Sequence, residues 1–204
     1  MMKSYIIFLC VFLMTASVSF AQDKIIFLDS KEITNIKVID VKDAVITYQE
    51  TKDSKAVEKK VFTDKVFSVN YADGTENILY RPDTAMGDFS AEQMKLFIKG
   101  TKDAREKYHD YSSYFIGFAF GVTGPLIGSY TFPVLTPFPP AAGIFVAGLF
   151  SPNMNRQPVE KKYLNNIEYL QGYEKKARGK KTKHALYGAL VGMVAGAFAF
   201  GLLP

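Results

Sequence analysis

The chain has 204 residues, 48% of them hydrophobic and 14% aromatic, with 25 Lys and Arg against 20 Asp and Glu for a formal net charge of +5. That length accommodates one small domain and an apolar region but not two large cores. The single cysteine, Cys10, excludes an internal disulfide frame or a thiolate metal site, and the mild basic surplus crowds the edges of apolar runs, which suits anionic lipid headgroups better than nucleic acid.

Lys3, the apolar run from Tyr5 to Met14, and the small residues Ala16, Ser17, Ser19 and Ala21 form the pattern of a secretory signal, with Ser19 and Ala21 at the −3 and −1 positions and cleavage before Gln22. An uncleaved anchor helix is the other reading. Residues 22–81 then read as short strands, at Ile25–Leu28, Ile33–Val41, Val45–Gln49, Lys60–Phe62, Val66–Tyr71 and Thr75–Tyr80. Asp73-Gly74 supplies a hairpin turn, since glycine accepts positive φ without steric cost. Alternation in Phe67/Val69/Tyr71 and in Ala44/Ile46/Tyr48 predicts one buried and one wet face. A small antiparallel β-barrel or roll, SH3-like, follows from these strands, with the lysine-rich stretch Thr51–Lys59 as a solvated hairpin tip.

Residues 82–89, with Pro82 and Gly87, form a linker. Ser90 with Gln93 three positions later is a capping box, so a helix starts there. Its stripe is Met94, Phe97, Ile98, Thr101, Ala104 and Tyr108. From Tyr111 to Asn155 there is no Asp, Glu, Lys, Arg or His, a stretch long enough for bilayer crossings near 112–130 and 134–150, broken by Pro133, Pro137, Pro139 and Pro140. A second amphipathic segment (Tyr163, Ile167, Leu170, Tyr173, Ala177) leads through Lys175–Lys181 into the uncharged run Ala185–Pro204, a third crossing near 185–203. The predicted class is therefore α+β: the β-domain followed by an α-helical membrane region, residues 90–204, of two to three transmembrane helices. The two halves of that region repeat weakly, Phe97-Ile98-Lys99-Gly100 with Ala104-Arg105 against Tyr169-Leu170-Gln171-Gly172 with Ala177-Arg178. A parallel repeat favours three crossings, whereas the basic surplus between Arg156 and Lys183 favours two by the positive-inside rule.

Gly188, Gly192 and Gly196, echoed by Gly117 with Gly121 and Gly124 with Gly128, put glycines on one helix face, where another backbone can approach closely. They pack helices within one chain or between copies. His109 and His184, the only histidines, read as interfacial side chains beside an interfacial tyrosine belt of Tyr108, Tyr111, Tyr114, Tyr130 and Tyr187. Gly117, Gly121 and Gly124 resemble a phosphate-loop spacing, but no strand precedes them and no lysine follows closely. An Asp110/His109/Ser113 arrangement is the one candidate for nucleophilic chemistry.

The string Gly100, Asp103, Ala104 and Tyr108, the stretch with Pro137, Pro139 and Pro140, and Tyr169, Gly172, Tyr173, Lys176 and Ala177 resemble a family of uncharacterised bacterial envelope membrane proteins. These carry a G-x-x-D-A-x-x-Y segment and a Y-x-x-G-Y-x-x-K-A segment before membrane helices. The resemblance implies envelope membership and no activity, cofactor or site residue.

The expectation from sequence is a non-catalytic protein of the bacterial cell envelope, integrated in the inner membrane, with an extracytoplasmic β-domain in a binding or scaffold role. Its expected partners are the lipid bilayer and a second copy or another envelope protein, with no cofactor, no metal and no nucleic acid. A small channel or transporter subunit lined by Thr123, Ser129, Thr131 and Thr136 is the alternative, and a hydrolase using Ser113 a third reading.

Overall fold

A computed structural model describes residues 22–52, 55–83, 85, 87–130, 136–152 and 159–200. The expected signal peptide, Pro133, Thr131 and the last four residues lie outside that range. The chain divides into two compact units, one ending at Arg81 and the other starting at Pro82.

The first unit is a six-stranded antiparallel sheet: β1 (Asp23–Phe27), β2 (Glu32–Lys42), β3 (Val45–Lys52), β4 (Lys55–Phe62), β5 (Val66–Asn70) and β6 (Glu76–Ile78), in the order β4-β3-β2-β1-β5-β6. The order is open, so the sheet does not close into the expected barrel. β4 and β6 are its two edges. Ile25, Ile36, Ile46, Tyr48, Val66 and Val69 form the core, drawn from four strands. The Asp23 carboxylate accepts from Val38 N–H (2.7 Å) and Ala72 N–H (2.8 Å), satisfying backbone donors on both sides of β1, next to a register shift. Gly74 takes φ +88 in the β5–β6 turn, where the Asp73 side chain accepts from Thr75 N–H at 2.8 Å. Two local expectations are corrected. Thr51–Lys59 is mostly strand, because β3 and β4 stay in register to the pair Lys52 with Lys55. β5 is buried on both faces, with Phe67 packed near Tyr80 at 6.1 Å between ring centroids and Ser68 donating to Glu76 at 3.0 Å.

The second unit holds four helices, α1 (Ala91–Lys107), α2 (Ser112–Tyr130), α3 (Phe138–Leu149) and α4 (Ile167–Ala199). α1 begins at the capping box: Gln93 N–H donates to Ser90 Oγ (3.3 Å) and Ser90 N–H to Gln93 Oε1 (3.0 Å). α4 runs as one helix of 33 residues through the lysine-rich segment. Its buried face is Tyr169, Gly172, Tyr173 and Ala177, whereas Ile167, expected on that face, is 67% exposed.

The expected transmembrane helices are overturned. Among the described residues no helix is long and apolar enough to cross a membrane. Freedom from charge is not the same as apolarity. α2 has 19 residues, but Ser112, Ser113, Tyr114, Thr123, Pro125, Ser129, Tyr130 and four glycines dilute its hydropathy. α3 has 12 residues, about 18 Å of helix against a hydrocarbon core of about 30 Å. The uncharged part of α4, Ala185–Ala199, is only about 22 Å long. The membrane-integrated placement, and the two- or three-crossing topologies with it, fall on the same ground. A channel built from crossing helices loses its structural basis too.

Candidate functional site

The glycines of the second unit mark where two helices meet backbone to backbone. A Cβ on Gly100 would collide with the carbonyl of Tyr169, and one on Gly172 with the carbonyl of Phe97. Further along, Gly117 faces Ala185 O and Gly188 faces Tyr114 O, while Gly121 faces Ala189 O and Gly192 faces Phe118 O. Residue numbers rise together, so α1 and α2 run parallel to α4. The contacts are also reciprocal: exchanging Gly100 for Gly172 and Tyr169 for Phe97 turns the first contact into the second, and the other two pairs behave alike. The helices are related by a local two-fold. Gly196 extends the seam, lying against Val122. Gly124 belongs to a different contact, against Thr136 O before α3 and Pro140 in its first turn, and Gly128 is half-buried.

Polar groups hold this seam at its two ends of charge. Thr101 Oγ1 donates to Phe97 O (2.9 Å) or to Gly172 O (3.1 Å) across the crossing. Asp103, buried, accepts from Tyr169 OH at 2.8 Å and lies 3.3 Å from Lys107 and 3.7 Å from Lys99. Burial, then the Asp103 carboxylate, raise the Tyr169 hydroxyl well above its ordinary range, and the same two causes push Tyr173 up to about 12. Among the described residues Tyr173 OH is buried without a hydrogen-bond partner.

Where α1 stops, lysines of α4 take the place of missing backbone donors. Lys180 Nζ donates to Arg105 O (2.6 Å) and Tyr108 O (3.0 Å), and Lys181 Nζ to Phe150 O (3.0 Å) just past α3. Both meet the negative ends of helix dipoles, where a cation is favourable. Burial lowers the Lys180 pKa. Asp110 opens α2, accepting from Ser112 N–H at 2.9 Å and Ser113 Oγ at 2.7 Å. Burial pushes its carboxyl up, but these hydroxyl and amide donors, with Lys181, outweigh burial and leave it below its ordinary value. His184 Nδ1 sits 2.7 Å from Asp110 O. The junction is a helix-end lock built from opposed charges.

No family description, curated protein or solved structure matches the chain. Its chemistry is therefore read from its own geometry.

The Asp110/His109/Ser113 arrangement does not assemble. Ser113 is fully buried and its hydroxyl proton points to Asp110, while His109 Nδ1 lies 2.9 Å from Lys107 O. A nucleophile needs its base on the hydroxyl and room for a substrate. Thr123 and Ser129, expected along a lumen, donate back to Phe120 O and Leu126 O of their own helix, each at 2.8 Å. Tyr108, expected in an interfacial belt, is 3% exposed and packs edge-on against Tyr173. Among the described residues no group of His, Cys, Asp and Glu could hold a metal ion.

The first unit carries a cleft of about 760 Å³ between the β2–β3 turn, Thr63 and Asp64, and the segment Asn77–Arg81. Asp43 and Ala44 at its rim both take positive φ, +50 and +61. Two consecutive left-handed residues make the tight two-residue hairpin turn that matches strand twist. This cleft has no signature in the sequence, because its walls come from four separate segments and only the fold joins them.

Proposed function

We propose that the chain is a non-catalytic binding protein of scaffold type, whose helical unit is covered in use by an apolar partner surface. One observation carries this reading: charge and apolar exposure are segregated along the helical unit. Ion pairs occupy α1 and the first half of α4, whereas α2, α3 and the last half of α4 have no charged residue. That uncharged end leaves Phe115 (68%), Phe145 (67%) and Phe198 (60%) exposed, and Leu190, Val191 and Val194 of α4 are exposed too. On α4 these side chains stand opposite the glycine seam, so the face that packs inside the unit is used and the other is free. Exposed apolar area on this scale marks a binding surface.

The partner chemistry is apolar, supplied by lipid acyl chains or by an apolar protein face. The test compares the purified chain with a Phe115→Ser, Phe145→Ser, Val194→Ser variant, chosen at exposed sites so that folding is spared. Flotation with phosphatidylcholine vesicles identifies the lipid source, and a discrete oligomer by light scattering without vesicles identifies a protein source. Either behaviour, lost in the triple variant at unchanged helix content, supports the proposal. A parent chain that stays monomeric and does not float, or a variant that behaves like the parent, overturns it.

A further inference from the structure

We propose that the free edge of β4 is a strand-addition site for an extended acidic segment of a partner protein. β4 ends the strand order, and it pairs with β3 over its whole length, Val45 with Phe62 through Lys52 with Lys55, without a register shift. The ladders of β1 with β2, β1 with β5 and β2 with β3 each contain one. Seven of the eight β4 residues are exposed, so the outer row of N–H and C=O groups is open to solvent. The opposite edge, β6, has only three residues.

Proteins protect such edges with short strands, bulges, proline or charge. β4 has no bulge, no proline and no glycine. Its protection is Lys55, Lys59 and Lys60 against a single acid, Glu58. Lys59 is held by Glu50 of β3. Lys55 and Lys60 lie on opposite faces of the strand, and Val57 (44% exposed) stands between them on the Lys55 face. Like charge repels a second basic edge, so this pattern disfavours a copy of β4 while admitting an acidic strand. Main-chain hydrogen bonds then supply affinity, and alternate side chains supply selection. The matching segment has an acid opposite Lys55, an apolar residue opposite Val57 and an acid opposite Lys60. This site lies on the first unit and is independent of the apolar helical surface.

The test adds a blocked peptide, Glu-Val-Val-Thr-Val-Glu-Val-Glu, to the full chain and follows amide exchange along β4 by NMR. Saturable binding with slowed exchange of alternate β4 amides is expected, weakened about tenfold in a Lys55→Glu, Lys60→Glu variant and abolished when the two central residues of the peptide are proline. Both lysines are exposed, and unchanged exchange of the β1 and β5 amides verifies the variant's fold. No β4 protection at millimolar peptide overturns the proposal. So does equal binding of the proline peptide, which would mean charge attraction alone, and so does β4 protection that grows with protein concentration without peptide, which would mean pairing between copies.

Discussion

The helix seam yields a prediction in which one substitution changes sign with position on a single helix. Gly172→Ala and Gly179→Ala both sit inside α4. At Gly179 nothing lies within 4 Å of the added methyl, so alanine brings only its better helix propensity and stabilises by about 1 kcal/mol. At Gly172 the methyl meets the backbone carbonyl of Phe97, with Thr101 Oγ1 at 3.0 Å. Backbone cannot rotate away as a side chain can, so α1 and α4 must separate. Overpacking of this kind costs about 1–3 kcal/mol, and subtracting the propensity gain leaves a net loss of up to about 2 kcal/mol. Gly100→Ala collides with Tyr169 O at the same crossing and should lose as much. Because one separation relieves both collisions, the double variant should lose clearly less than the sum of the single ones. Urea denaturation followed by far-ultraviolet circular dichroism measures all four. Additive losses at Gly100 and Gly172, or a loss at Gly179 equal to theirs, would refute the reciprocal seam.

Ala44→Gly should stabilise the β-unit by about 0.5–1 kcal/mol, because alanine at φ +61 carries a left-handed cost of about 1–2 kcal/mol, partly offset by the entropy glycine loses on folding; a lowered urea midpoint would contradict it. Tyr173→Phe should be neutral or stabilising, since the hydroxyl removed is buried without a partner and its desolvation is relieved, whereas Tyr169→Phe removes the donor to Asp103 and should cost about 1–3 kcal/mol. The helical unit should lose stability as pH rises above about 10.5. Tyr108, Tyr169 and Tyr173 all have folded pKa values raised above 10.0, so the unfolded chain releases those protons first, and the stabilisation, complete below pH 10, is lost between 10 and about 12 for Tyr173. Lys180 acts in the opposite sense, because its lowered pKa makes stability rise toward 10.5, so the net fall should be seen only above that; absorbance at 295 nm that titrates these tyrosines without loss of helix would count against the prediction.

Local rules carried well where one side chain decides the outcome. Ser90 and Gln93 announce the start of α1, Asp73-Gly74 announces its hairpin, and the strands lie within a few residues of where alternation puts them. They failed where a decision needs neighbours. Thr51–Lys59 is polar enough for a loop, but pairing with β3 makes it strand. Spacing puts Ile167 on the apolar stripe of α4, but Tyr169 stacks on Tyr163 at 5.0 Å and takes the buried place. The transmembrane expectation fails for one reason: a long run without ionisable groups need not be apolar enough to cross a bilayer. Glycine, serine, threonine and proline fill those runs here because helices approach to backbone contact, which demands small residues and not oily ones.

The repeat shows most clearly what sequence can and cannot align. Matching Ala104 with Ala177 produces a slip inside the first few turns after Gly100 and Gly172. The contacts place the slip elsewhere: Gly100 answers to Gly172 and Gly117 to Gly188, with one residue fewer in the second copy between them. The first copy contains a break between α1 and α2, and the second runs through as unbroken helix. A break exposes the carbonyls at the end of α1, and the ammonium group that reaches them, Lys180, comes from the unbroken copy. The two-fold is thus violated at the layer of the break, where the end of α1 in the first copy is completed by a side chain of the second.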